Sequence, residues 1–246
     1  MDSTTFAPAA LSGNSLIDSL GPEEYEGLRH LFKPVELHAR QTLYAPGDEP
    51  ACVYFPAGAV VTAVATMDDG STAETAMIGR EGVVGVGAAA GHTGVARHWT
   101  SVLLPGEALR VETQALRKIF EESPAWRDSL LRYYGVLIGH VSRRAICNAR
   151  HRLSERFPTW LLMVRDRAPG VEFPLTQETI ARQLGVRRAG VNECAVSLQR
   201  LGVLDHRRGR IRLLREGALE DSACSCYPAC KEEVRWVERG QRAVAR

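Results

Sequence analysis

Between Val35 and Leu109 the apolar residues come in short runs: Cys52–Phe55, Val60–Thr66, Glu74–Ile78 and Ser101–Leu104. They are separated by Pro46-Gly47-Asp48, Ala57-Gly58, Asp68-Asp69-Gly70 and Pro105-Gly106, residues that supply the fixed or positive backbone torsions a reversing chain needs. Asp69-Gly70 between two such runs is a strong hairpin signal. The pattern predicts an antiparallel, jelly-roll-like β-roll. The period then changes. From about Thr113 to Arg150 the spacing is helical, and Pro124 divides it into a short helix and a long one. In the long helix Leu130, Tyr134, Leu137, Val141, Ala145 and Asn148 recur at steps of three and four, the seam of a coiled coil. Tyr133, Val136 and Ile146 form a second apolar face. We expect the seam to join two copies of the chain and the second face to meet the core. The alternative is that the seam itself packs on the β-domain. Ahead of the β region, Met1–Leu20 is rich in Ser, Ala and Thr without a period and reads as a loose arm. Pro22–Leu31 reads as a short helix with Pro22 in its first turn.

The last third changes texture again. Thr176 stands where it can cap a helix, and Glu178 and Thr179 fill the first turn, where oxygen-bearing side chains meet free amides. Ile180, Ala181 and Leu184 form one apolar face, and Gly185 ends the helix. A second helix runs from about Arg188 to Leu201. Val191, Ala195 and Leu198 point inward, whereas Ala189, Asn192, Glu193, Val196 and Arg200 point outward. After Gly202, two β-like runs flank a basic turn at Arg207–Gly209. Helix, glycine turn, helix and basic hairpin make a winged helix-turn-helix. Pro158 predicts a helix start at Phe157–Trp160. The fold class is α+β, divided into an arm (1–20), a β-roll domain (21–118), a long helix expected to join two copies (119–150), a winged helix-turn-helix domain (151–219) and a tail (220–246).

Charge sharpens this division. The 246 residues carry a formal net charge of +2, but Met1–Ser142 holds 10 basic and 17 acidic residues, whereas Arg143–Arg215 holds 16 basic and 6 acidic. Every base in that second segment is arginine, the side chain suited to bidentate contact with phosphate and guanine. Double-stranded DNA is therefore the expected partner of this segment. No apolar stretch approaches the roughly 20 residues that span a bilayer. The N-terminus lacks the pattern of a secretory signal. A cytoplasmic protein with no membrane partner is expected.

At this point the chain resembles the CRP/FNR family of bacterial regulators. The stretch FPLTQETIARQLGVRRAGVNECAVSLQRLGVLDHRRGRIRL is similar to that family's C-terminal domain. LYAPGDEPACVYFPAGAV followed by GREGVVGV resembles its cyclic-nucleotide-binding β-roll. The resemblance implies a homodimer on palindromic DNA, with RNA polymerase a further partner for which no residue identifies a surface. It places Arg188 at the family's common phosphate- or guanine-contacting arginine and Ala189 and Glu193 at positions that usually read bases. From their place on the helix, Arg187 is expected beside Arg188 on phosphate or base, and Asn192 against base edges, with Arg200 on the same face. Arg207, Arg208 and Arg210 are expected on the DNA backbone, with Thr176 and Gln177 presenting a helix N-terminus to phosphate. The best-known members carry Glu and Arg where this chain has Ala189 and Glu193, so a different operator is expected.

The effector region departs further. Cyclic-nucleotide-binding members grip the ribose with a glutamate and the phosphate with an arginine. Here Gly85-Val86 stands at the first site, and Trp99 or, under a shifted alignment, Arg97 at the second. Valine accepts no hydrogen bond, so cyclic AMP or cyclic GMP in the usual mode is not expected, and the effector is left unassigned. Cys52, Cys147 and Cys194 read as isolated small core residues. Cys224, Cys226 and Cys230 cluster, and with His206 or another residue they would make a metal- or redox-responsive site; a structural segment is the expected reading, with no metal or cofactor assigned. A sensor acting through protein–protein contacts is the rival class, distinguished by weak salt dependence. No nucleophile–base pair, paired carboxylates or His-rich metal spacing appears in Val35–Leu109, and His92 and His98 are lone, so no enzyme is expected.

Overall fold

The computed structural model describes residues 12–20, 22–90 and 94–238. Two short helices, α1 (Ser15–Asp18) and α2 (Pro22–Leu28), and a 3-10 turn at Arg29–Leu31 precede the β region. That region contains β1 (Lys33–Leu37), β2 (Thr42–Tyr44), β3 (Cys52–Pro56), β4 (Val60–Thr66) and β5 (Thr72–Ile78). The short α3 (Val86–Ala89), β6 (Trp99–Leu104) and β7 (Gly106–Glu112) complete it. The strands form two antiparallel sheets, ordered β1-β7-β3 and β2-β6-β4-β5. Leu37 and Ala108 of the first sheet meet Tyr44, Val61, Ile78 and Val102 of the second, which is the expected β-roll. The turns at 57–58 and 105–106 touch backbone to backbone: a Cβ on Gly106 would lie 2.6 Å from the Gly58 carbonyl carbon. Only glycine fits there.

Helices follow: α4 (Thr113–Glu122), α5 (Pro124–Arg150) and α6 (Leu153–Arg167). Pro124 ends one helix and begins the next, with the Ser123 hydroxyl accepting from the Trp126 amide at 3.1 Å. Phe32, Phe55, Trp126, Leu130 and Tyr133 pack α5 onto β3. Past α6 come β8 (Glu172–Phe173), α7 (Gln177–Leu184), α8 (Arg188–Arg200), β9 (Leu204–Arg207), β10 (Arg210–Leu213), α9 (Glu216–Asp221) and α10 (Cys226–Glu238).

Two expectations need correction. Residues 12–20 are not a loose arm: Leu16 and Ile17 are buried, and the Asn14 amide donates to the Pro56 and Gly82 carbonyls at 2.8 and 2.9 Å. Residues 1–11 lie outside the described residues, as does His92. The helix expected at Phe157 begins at Leu153, where the Glu155 carboxylate accepts from the Arg152 amide at 3.0 Å. Pro158 sits in its second turn, forfeiting a single bond to the turn before. The tail also folds up to Glu238, because α10 packs on α5 and α6 with Tyr227, Cys230 and Val237 buried.

Two buried ion pairs tie the roll to the helices. Arg144 of α5 faces Glu74 of β5 at 3.4 Å, and the Trp160 indole donates to the same carboxylate at 2.8 Å. The Arg167 guanidinium of α6 donates to Glu81 at 2.7 Å. His140 lies beside both arginines; burial first, then Arg167 and Arg144, hold its pKa well below the usual 6.5. The unfolded chain therefore takes up a proton near pH 6.5 that the folded chain refuses, and stability falls as pH drops through that range. The loss should approach about 1.4 kcal/mol per pH unit. Urea unfolding between about pH 7.5 and about pH 5.5 should show a smaller decline in His140→Gln than in the native chain.

Candidate nucleic-acid interface

The helix-turn-helix is built on a shared apolar side. Ile180, Ala181 and Leu184 of α7 and Val191, Ala195 and Leu198 of α8 pack against Phe157, Trp160 and Leu161 of α6. The Thr176 hydroxyl caps α7, accepting from the Thr179 amide at 3.1 Å, and Gly185 (φ +66) turns the chain into α8. This leaves Arg187, Arg188, Ala189, Asn192, Glu193 and Arg200 exposed on the outer side. Gln177 bridges the two helices, its amide donating to Asn192 Oδ1 at 2.8 Å and its carbonyl accepting from Arg188 Nε at 3.3 Å. These hydrogen bonds link the exposed faces of the two helices.

The wing is a tight antiparallel hairpin, with Arg207 opposite Arg210. Both central residues, Arg208 (φ +49) and Gly209 (φ +74), have positive φ, the requirement of a type I′ turn. A Cβ on Gly209 would lie 3.2 Å from the Thr176 methyl, so the wing tip adjoins the start of α7. Arg207 donates to Asp205 at 3.0 Å and Arg210 pairs with Glu172, while Arg208 is exposed. One continuous surface thus holds a helix N-terminus, the first turns of α8 and the wing arginines.

The β4–β5 hairpin also reaches this region, which no local pattern foretold. Thr72 donates to the Arg182 carbonyl at 3.2 Å, and a Cβ on Gly185 would meet Ala73 at 3.1 Å. Trp99 lines the groove between that hairpin and the start of α8. It is absent from the cavity beside Gly85 and Val86, whereas Arg97 lines that cavity, so of the two expected alternatives the structure brings only Arg97 to this place. The cavity is about 570 Å³ and is lined by Gly85, Val86, Arg97, His98 and Thr100 together with Tyr134, Leu137 and Val141 of α5.

The exposed stripe of α5 is shifted from the expected seam. Leu130 is 1% exposed and belongs to the core, and Leu137 is half-buried. Leu131 (53%) and Ile138 (51%) take their places beside Tyr134, Val141 and Ala145, still at steps of three and four. Ile146, expected in the core, is 57% exposed. The cysteines also regroup. Cys147 is not isolated: with His151, Cys224 and Cys226 it brings four ligand atoms within 4.8 Å of one another. Cys230 instead faces His140 and Glu233, and His206 joins neither group. The pairing of Cys147 with His151, one helical turn apart, was the overlooked signal.

A β-roll, a long helix and a winged helix-turn-helix, in this order, give the architecture of CRP/FNR-type transcription regulators. Within it, residues 155–222 match the Crp-like helix-turn-helix domain. FixK2 from Bradyrhizobium japonicum superposes with a TM-score of 0.66 at 18% identity, over 79% of this chain and 98% of its own. A CRP/FNR-family regulator from Thermus thermophilus gives 0.63 at 18% identity, over 78% and 98%. CLP from Xanthomonas campestris, described as a c-di-GMP-responsive global regulator, gives 0.60 at 16%, also over 78% and 98%. No curated protein matches the chain. Among the described residues no helix is long and apolar enough to cross a membrane.

Proposed function

We propose that the protein is a homodimeric transcription regulator that binds palindromic double-stranded DNA, with α8 in the major groove and the wing on the backbone. The observation that carries this reading is the Gln177–Asn192–Arg188 network on the exposed side of a helix-turn-helix whose wing tip adjoins Thr176. Side chains held in place lose little entropy on meeting a base edge. In this reading Arg188 reaches guanine, Ala189 meets a thymine methyl, and Glu193 accepts from cytosine N4, while Asn192 reads the neighbouring edge. Arg187, Arg200, Arg207, Arg208 and Arg210 hold phosphates, and the amides at the start of α7 add a further anion contact.

Dimerisation runs through Leu131, Tyr134, Ile138, Val141 and Ala145, whose exposed stripe has the period of a two-stranded coil. Two-fold symmetry then sets the half-sites about one helical turn apart. The cavity beside α5 is the effector site, of a size suited to a small molecule. Cyclic AMP in the usual mode is not its ligand, because Val86 offers no oxygen to a ribose hydroxyl.

Selection from a random DNA pool with the purified full chain tests this reading. A palindrome is the expected product, and no enrichment in any effector state would contradict it. Against the selected site, Arg188→Ala should weaken binding by about 1–3 kcal/mol and relax one position per half-site. An equal loss on all sequences would move Arg188 to the phosphate contacts.

A further inference from the structure

The cluster at the end of α5 has a composition that core packing does not require. Cys147 and His151 lie one turn apart at the C-terminus of that helix, His151 being its cap. Cys224 comes from the connection between α9 and α10, 77 residues from Cys147, and Cys226 is the first residue of α10. Cys147 Sγ lies 3.5 Å from Cys224 Sγ, and Cys226 Sγ lies 3.6 Å from His151 Nδ1. A single zinc ion with Zn–S of about 2.3 Å and Zn–N of about 2.0–2.1 Å sets tetrahedral edges of roughly 3.8 Å between sulfurs and 3.6 Å between sulfur and nitrogen. These two separations lie close to such edges, and all four ligand atoms lie within 4.8 Å of one another. A multinuclear iron–sulfur cluster would spread its thiolates over several irons, whereas these donors crowd around one point.

The surroundings suit a thiolate-rich centre. Thr159 Oγ1 is 3.1 Å from Cys224 Sγ and accepts the Cys224 amide at 2.9 Å, which orients that ligand from outside the shell. Arg144 and Arg156 both act electrostatically on the thiols. Arg144 is buried, and among the described residues its three guanidinium nitrogens have no hydrogen-bond partner and its ion pair is the 3.4 Å contact to Glu74. Zinc with three thiolates and a neutral imidazole carries a net charge of −1, and a buried arginine beside it offsets that charge.

We infer that Cys147, His151, Cys224 and Cys226 form a tetrahedral site for one zinc ion, which clamps the C-terminal segment to the junction of α5 and α6. On binding, three thiol protons leave to solvent as three Zn–S bonds and one Zn–N bond form, with no change of oxidation state. The site stands on its own geometry and does not depend on the DNA-binding reading.

The test uses the full chain, reduced and purified without chelator, with zinc and then cobalt as probes. Elemental analysis should find one zinc per chain, and cobalt substitution should give the intense visible bands of a tetrahedral thiolate site. The Cys224→Ser/Cys226→Ser variant should lose both signals, while Cys230→Ser keeps them. A fold-independent measurement guards against a variant that misfolds: in the native chain zinc should shield Cys147, Cys224 and Cys226 from alkylation, and a chelator should expose them. Three results would overturn the inference. They are no zinc-dependent shielding, a Cys147–Cys224 disulfide in its place, or metal retained by the double variant, which would place the ion at His140, Cys230 and Glu233.

Discussion

Arg144→Met is expected to lower the unfolding free energy by about 3–5 kcal/mol, because it strands a buried carboxylate. Glu74 is fully enclosed, and burial already pushes its pKa up against the opposing pull of Arg144 and the Trp160 hydrogen bond. Without the guanidinium, the carboxyl is forced towards its neutral form. Between the unfolded and folded pKa values the native chain then holds a proton that the unfolded chain has released, so stability falls as pH rises above the ordinary glutamate range. The deficit should accordingly be larger at pH 8 than at pH 5. Adding Glu74→Gln should recover the part of the loss that comes from the stranded carboxylate, since the amide oxygen still accepts from Trp160 and residue 74 no longer carries a charge. Chemical denaturation of both single variants and the double variant gives the coupling directly. Equal deficits in Arg144→Met alone and in the double variant would show that the pair contributes through packing and not through charge.

Ile138→Ala is expected to weaken dimerisation with little effect on the fold of each subunit. Ile138 is half exposed in the single chain, so its removal opens no cavity there. In a symmetric dimer each copy buries the half of this side chain that the single chain leaves exposed, at about 0.7–1.5 kcal/mol each. The dimer dissociation constant should rise by roughly 10 to 10²-fold, at 1.4 kcal/mol per factor of ten. Sedimentation of the variant at graded concentrations measures this. Leu130→Ala should behave in the opposite way, destabilising each subunit through a core cavity. A variant at Ile138 that stays as tightly dimeric as the native chain would move the interface elsewhere.

The contrast between buried Leu130 and exposed Leu131, its neighbour in the chain, shows where the sequence stops being legible. Steps of three and four identify a helical stripe, but the phase depends on which side faces Phe55 and Trp126, and those contacts come from a distant strand and an earlier turn. Leu130 and Leu131 are a hundred degrees apart on the helix, and either continues the period. The helix-turn-helix was readable because its determinants are local: the Thr176 cap, the Gly185 turn and the Arg208-Gly209 hairpin all lie within a few residues of what they shape. The β-roll was readable for the same reason, from turn residues between short runs. Asn14 was not, since its two carbonyl partners lie 42 and 68 residues away. Nor was the fate of Trp99, which depends on where β6 sits beside β4 and on the approach of α7. The cysteine–histidine group combined both cases: Cys147 and His151 were adjacent on one helix face, but Cys224 and Cys226 reach them only through the return of the C-terminal segment.

If this surface binds DNA through its arginines, binding must weaken steeply as salt rises. Binding of the full chain to its selected palindrome should be followed by fluorescence anisotropy as salt is raised from about 50 to about 200 mM. With roughly 6–10 phosphates neutralised by two subunits, affinity should fall about 10³ to 10⁵-fold along a straight line in log salt. A binding constant that barely moves across that range would contradict the account and leave the winged domain as a surface for another protein.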